Sequence, residues 1–192
     1  MKFKACMICS FLSILIFTGC DTKGNKEKNQ TNTQTTDQQQ SITPSSSSTF
    51  ILNSIDNKPI EIVLDEGKIF LKGEKNKLVL LNFFTTWCPP CKAEIPNLVK
   101  LQESFKNDLV VIGVLLEEFK TNEEIAEFLK PYNANYTVTN SKANINLAKA
   151  MGGIKSIPSL FLIDQQASLF QKYTGLVPFE MMEIDVKKLL ER

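Results

Sequence analysis

The chain has 192 residues, with 22 Lys and Arg against 21 Asp and Glu, for a formal net charge of +1. Hydrophobic residues are 43% of it, enough for a substantial core, and the balanced charge gives neither a nucleic-acid footprint nor a basic membrane patch. There is no His, and the only Arg is Arg192, which excludes an arginine-dependent site inside a folded domain.

Met1-Lys2-Phe3-Lys4 is short and positive, and residues 5–17 are apolar. That run is too short for a comfortable membrane span and suits the core of a secretory signal. Phe17-Thr18-Gly19-Cys20 resembles a bacterial lipobox. The resemblance implies a lipoprotein signal peptide over residues 1–19 and a lipidated Cys20 as the first mature residue. An uncleaved N-terminal anchor is the alternative. Either reading places the remainder of the chain outside the cytoplasm, tethered to a membrane. Cys6 and Cys9 fall within the signal. Residues 21–48 are rich in Asn, Gln, Thr and Ser, with Ile42 almost alone as an apolar residue. Such a segment cannot bury enough surface to offset its ordering entropy, so residues 20–49 read as the lipidated Cys and a flexible polar tether. A glycosylated or partner-binding stalk is the other reading.

Residues 50–192 have the length of one domain. Strands are expected at 50–52 and 60–64, with a turn at Asp56-Asn57-Lys58-Pro59, and a further extended piece at 69–71. Residues 78–84 are almost wholly apolar, as in a strand buried on both faces. After Cys88 a helix carries Ile95, Leu98, Val99, Leu101 and Phe105 at helical spacing, and Pro96 is expected to kink it. Residues 109–116 read as a second buried strand. Thr121-Asn122-Glu123-Glu124 opens a short helix with Ile125, Phe128 and Leu129, ended by Pro131. A strand follows at 136–139, and then a helix over 143–151, terminated by Gly152-Gly153. Residues 159–163 and 169–173 form a hairpin around Asp164. The last helix, 179–190, buries Phe179, Met182, Val186, Leu189 and Leu190. This order predicts a mixed three-layer α/β domain.

Trp87-Cys88-Pro89-Pro90-Cys91 sits between the buried strand and the helix. Cys-x-x-Cys there is a redox device. Unpaired backbone N–H groups and the helix dipole favour a thiolate at the first sulfur, and the second lies about one turn along. A zinc site needs further ligands, yet no Cys follows Cys91 and no His exists. A covalent haem site needs His directly after the second Cys, where this chain has Lys92. A structural disulfide remains open, although so small a loop constrains the unfolded chain little. No cofactor or metal is implied.

With these elements, the Cys-x-x-Cys segment resembles the thioredoxin superfamily, and more narrowly the extracytoplasmic TlpA- and ResA-like thiol-disulfide oxidoreductases. Glu94 and Pro96 follow Cys91 at the family's spacing. The helix and strand over 122–139 lie where that branch inserts them. Gly153-Ile154-Lys155-Ser156-Ile157-Pro158-Ser159 matches the loop that carries the family's cis-proline. The resemblance covers residues 50–192 and implies a thioredoxin-like three-layer fold with a central mixed sheet, an N-terminal strand extension and that insertion. Cytoplasmic thioredoxins place an acid where this chain has Asn82, and family members often have Thr where it has Ser159.

The resemblance implies that Cys88, at the exposed helix start, attacks a disulfide and that the more buried Cys91 resolves the mixed disulfide. It also implies a cis Ile157–Pro158 bond against the cysteines, with the Ile157 backbone pairing with an extended substrate. Trp87, Pro89 and Pro90 shape the rim. The two prolines offer no N–H to the sulfur and tune the redox potential, with a sign the sequence leaves open. Glu94 has two readings: a partly buried group that exchanges protons near the sulfurs, or a first-turn acid favoured by the helix dipole.

The implied function is reduction of disulfides in exported proteins, apocytochrome c among them, with electrons from a membrane thiol donor. An oxidase or isomerase role uses the same chemistry. A thiol peroxidase would need an upstream Pro and a catalytic Arg, where this chain has Leu81 and no interior Arg. A non-enzymatic binding lipoprotein is the remaining alternative.

Overall fold

The structure is a computed structural model, and it describes residues 47–192. The expected signal peptide, Cys20 and nearly all of the expected tether lie outside the described residues. The first elements are the strands β1 (Ser48–Asn53), β2 (Pro59–Asp65) and β3 (Lys68–Leu71), an antiparallel sheet in the order β1-β2-β3. β1 begins two residues before the apolar run, because backbone pairing of Ser48 with Leu64 and Thr49 with Val63 extends it regardless of side-chain polarity.

The chain then runs through β4 (Leu78–Phe84), α1 (Pro89–Ser104), β5 (Leu109–Leu115), α2 (Asn122–Leu129), β6 (Thr137–Thr139), α3 (Lys142–Ala150), β7 (Ser159–Ile163), β8 (Leu169–Thr174) and α4 (Phe179–Leu190). These five strands form a second sheet in the order β6-β5-β4-β7-β8. β4 pairs parallel with β5 and antiparallel with β7, so the sheet is mixed. All seven residues of β4 are buried, as its continuous apolar run predicts.

Alternation along β4 separates two layers. Leu78 and Leu80 face α1 and α4, packing with Leu98, Leu101, Met182, Val186 and Leu189. Val79, Leu81 and Phe83 face α3 and the small sheet, packing with Leu147, Leu52, Ile62 and Ile69. A third cluster gathers Phe84, Cys88, Cys91, Ile95, Leu115, Ile125 and Leu129 at the end of β4, so α2 packs beside the cysteines.

Local chemistry sets the boundaries. α2 opens with a capping box in which Thr121 Oγ1 accepts from the Glu124 N–H at 3.1 Å and Glu124 Oε2 accepts from the Thr121 N–H at 2.8 Å. Pro131 does end α2, but the chain continues as a 3₁₀ turn over Lys130–Tyr132, whose start tolerates a residue without an N–H. α1 continues through the exposed Pro96 to Ser104 as one helix. α3 stops at Gly152, whose φ of +88° suits glycine, and the Gly153 N–H returns to the Ala148 carbonyl at 3.0 Å. Among the described residues, no helix is long and apolar enough to cross a membrane.

Candidate active site

The site forms where β4 ends. Phe84 is the last strand residue, Thr85-Thr86-Trp87 make a turn, and Cys88 is the N-cap of α1 with φ −81° and ψ 115°. Cys88 and Cys91 are joined by a disulfide, with their Cα atoms 5.2 Å apart. Cys88 Sγ accepts a hydrogen bond from the Cys91 N–H at 3.3 Å. An N-cap acceptor ordinarily reaches the N–H of the second or third helical residue. Here the first two helical residues are Pro89 and Pro90, so the Cys91 N–H is the one donor α1 offers at those positions.

The expected cis-proline is present. Ile157–Pro158 is the cis peptide bond among the described residues, and the Ile157 carbonyl oxygen lies 3.8 Å from Cys88 Sγ. Pro158 is buried and Ile157 partly so. The Gly175 N–H donates to the Pro158 carbonyl at 2.8 Å, which joins this loop to the start of the segment before α4. Ser159 is buried, and its hydroxyl donates to the Ser156 carbonyl at 2.7 Å, so it braces the loop from within.

One expectation is corrected. Cys88 is not exposed: it is 3% accessible against 0% for Cys91. Packing with Phe84, Ile95 and Ile125, together with the disulfide itself, covers the helix start. The asymmetry between the sulfurs therefore lies in position at the helix end more than in access. Trp87, at 66% accessible, is exposed beside them, as are Pro89 and Pro90.

Glu94 lies beyond the first turn of α1 and is fully buried, which is not the setting of a surface acid answering the helix dipole. Its Oε2 accepts from the Val177 N–H at 2.8 Å, linking α1 to the segment before α4. Burial pushes its carboxyl up from 4.5 to about 7, against the smaller lowering effect of that bond. Three further polar residues bear on this end of the sheet, and of these the sequence marks only Asn82. Tyr136 has its phenol pKa raised by burial and secondarily by the charge of Glu94, and its hydroxyl has no hydrogen-bond partner among the described residues. Asn82, at 1% accessible, likewise has both amide atoms unpartnered among them, and the sequence distinguishes it only by the acid it replaces. Glu117 takes the Thr86 N–H on Oε1 and the Thr86 hydroxyl on Oε2, the latter at 3.1 Å.

Residues 57–190 match the family described as Redoxin. The chain belongs to the Redoxin family. It is 34% identical over 126 residues to the thiol-disulfide oxidoreductase ResA of Bacillus thuringiensis subsp. konkukian, covering 66% of this chain and 71% of that one. It is 30% identical over 121 residues to the thioredoxin-like protein YneN of Bacillus subtilis, covering 62% and 69%. Two solved structures resemble it in fold. StoA from Bacillus subtilis gives a TM-score of 0.57 at 20% identity, covering 74% of this chain and 98% of that one. A thioredoxin family thiol:disulfide interchange protein from Chlorobium tepidum TLS gives 0.58 at 27% identity, covering 74% and 93%. The fold is thioredoxin-like, and this Redoxin member is a thiol-disulfide oxidoreductase.

Glu94 yields a test of the buried site. Its folded-state value of about 7 lies above the ordinary 4.5, so the folded protein keeps this proton to higher pH than the unfolded chain does. The favourable contribution is complete below about pH 4.5 and is lost as pH rises through about 7. Oxidised wild type should therefore lose stability relative to Glu94→Gln across that window, by at most about 3 kcal/mol. Denaturant unfolding at a series of pH values checks this, and parallel curves for the two proteins would refute it.

Proposed function

We propose that the Cys88–Cys91 pair works outside the cytoplasm, tethered to a membrane through Cys20, and reduces disulfides of exported proteins. The reading of direction rests on one observation: with Pro89 and Pro90 opening α1, the Cys91 N–H at 3.3 Å is the helix donor to Cys88 Sγ. A thiolate at an N-cap is stabilised by such donors, and a well-stabilised thiolate makes a pair oxidising. Removing a donor weakens that stabilisation and makes the pair more reducing. This supplies the sign that the prolines alone do not give.

In the proposed cycle, the Cys88 thiolate attacks a substrate disulfide and displaces one substrate thiolate, leaving a mixed disulfide. Cys91, one turn along α1, attacks Cys88 Sγ. The second substrate thiolate leaves, and Cys88–Cys91 closes. The substrate has gained two electrons and two protons, and a membrane thiol donor, itself oxidised to a disulfide, must reduce Cys88–Cys91 for the next turn. Glu94, buried on the Cys91 face of α1, is positioned to take or hold a proton as Cys91 changes state. The exposed Trp87 and the Ile157 backbone support docking of an extended chain across the dithiol. Apocytochrome c, whose haem-attachment cysteines must be reduced before haem is joined, fits as a substrate.

Pro90→Ala returns an N–H to the second helical position. It should move the equilibrium with glutathione toward the dithiol by about tenfold, the worth of one charge-assisted hydrogen bond of about 1.4 kcal/mol. An unchanged equilibrium would remove the argument for direction, and a strongly oxidising wild-type pair would favour the oxidase reading instead.

Cys91→Ser should leave an attacker that cannot be resolved, so covalent complexes with exported thiol proteins accumulate in cells and dissolve under reductant. Cys88→Ser should trap few. Equal trapping by both variants would reverse or erase the division of roles. For the anchor, Cys20→Ala should abolish incorporation of labelled fatty acid, and equal labelling of wild type and variant would rule Cys20 out.

A further inference from the structure

The parallel ladder between β4 and β5 runs from Leu78 with Leu109 to Phe84 with Leu115. It extends one step further through the Leu116 N–H, which donates to the Phe84 carbonyl at 2.9 Å. There β4 leaves the sheet, and the backbone N–H of a departing residue needs a new acceptor. Thr86 finds it in Glu117. The two residues are separated by 31 positions, the same offset as the ladder pairs. A side-chain carboxylate thus takes over at the register position where backbone pairing stops. It holds both polar groups of Thr86, the N–H on Oε1 and the hydroxyl on Oε2.

Thr86 is two residues from Cys88, with the exposed Trp87 between them. On its other side Cys88 is held by the first turn of α1 and, in the oxidised protein, by the disulfide. Once the disulfide is reduced, that covalent hold is gone. The approach of Cys88 to Cys91 then depends on the helix cap and on the turn from β4. From this geometry we infer that Glu117 is a positioning residue for the redox pair, a clamp on Thr86 that keeps the reduced Cys88 sulfur where it can close onto Cys91.

This inference rests on the dithiol cycle proposed for the Cys88–Cys91 pair and adds a residue to it. A clamp that stabilised the oxidised and reduced folds equally would leave the redox equilibrium untouched, since only a difference between the two forms enters it. A clamp that preorganises the reduced pair raises the effective concentration of one thiol at the other, and so favours the disulfide. Its loss therefore moves the equilibrium toward the dithiol. Glu117 and Glu118 are adjacent acids on this loop, and charge alone could also shift the pair. The isosteric amide separates the two effects: Gln keeps a carbonyl for the Thr86 N–H and an NH₂ for the Thr86 hydroxyl, without the charge.

The experiment equilibrates full-length wild type, Glu117→Ala, Glu117→Gln and Thr86→Val with defined ratios of glutathione and glutathione disulfide. Two glutathione thiols reduce Cys88–Cys91 and leave as one glutathione disulfide. The dithiol and disulfide fractions are read by alkylation and mass. Glu117→Ala should shift the equilibrium toward the dithiol by about tenfold, and by as much as about a hundredfold if positioning is severe. Glu117→Gln should stay within about twofold of wild type. Thr86→Val, which removes only the hydroxyl arm and keeps the fold-competent backbone, should fall between them. An unmoved equilibrium in Glu117→Ala, or in Thr86→Val if Glu117→Ala does not fold, overturns the inference. So does a Glu117→Gln shift as large as that of Glu117→Ala, which would assign the effect to charge. A wild-type pair that does not cycle with glutathione overturns the dithiol reading and this inference together, whereas variants that match a cycling wild type overturn this inference alone.

Discussion

The site depends on how the chain is held between its last sheet residue, Phe84, and the first turn of α1. β4 is buried along its whole length between two hydrophobic layers, so its end is a fixed point in the molecule. Whatever leaves that point inherits its precision. The segment of four residues from Thr85 to Cys88 is short enough to have little freedom, and its end is an N-cap whose dihedrals are extended while the next residue is helical. A proline at the first helical position fits such a start because its φ is already helical and its missing N–H would have had no helical partner. The result is a sulfur placed by a strand on one side and a helix on the other.

α1 carries two duties on one face. Cys91, Glu94, Ile95, Leu98 and Leu101 recur at three- and four-residue spacing and are all buried. The sulfur, the carboxyl and the core leucines are therefore packed as a unit. An acid on such a face opposes folding whenever it is charged, and one backbone N–H from Val177 offsets part of that cost. The same bond couples the redox helix to the segment that leads into α4. The Pro158 loop joins that segment too, through the Gly175 N–H. The cysteines, the acid and the cis-proline thus share mechanical supports, although they lie far apart in the sequence.

Much of this is legible from residue order. Continuous apolar runs mark β4 and β5, helical spacing marks α1 and α4, and the Thr121 cap and the Gly152-Gly153 stop bound two further helices. The Cys-x-x-Cys pair is readable as a redox device from its own residues, whereas the Pro158 loop is readable only through the family resemblance. What stays hidden depends on tertiary neighbours. Glu94 is marked by the family's spacing, but its two readings stay open until the segment before α4 is seen to bury it and to give its carboxyl the Val177 N–H. Tyr136 reads as a strand residue until Gly113 is seen to leave room for its ring: a Cβ at Gly113 would lie 3.4 Å from Tyr136 Cε2 and 3.1 Å from Phe84 Cε1. The burial of Cys88 has no signal in the motif, because cover at a helix end is set by α2, which arrives from more than thirty residues downstream. Phe119 gives no signal either. It is 97% accessible with a φ of +69°, a left-handed conformation that a bulky side chain rarely adopts.

The margins of the larger sheet bear on the proposed traffic in unfolded chains. β6, at one edge, is three residues long and is already paired on its outer side, where the Ile55 N–H donates to the Val138 carbonyl and the Asn140 N–H to the Asn53 carbonyl. β8, at the other, presents Gln171 and Lys172 to solvent, with an irregular register against β7. An edge already paired and a charged, irregular one both discourage strand addition by a passing polypeptide. A protein that meets extended chains at close range runs the hazard of being templated by them into aggregates. Under the proposed function, edges of this kind would let it touch such chains at the sulfurs and let them go.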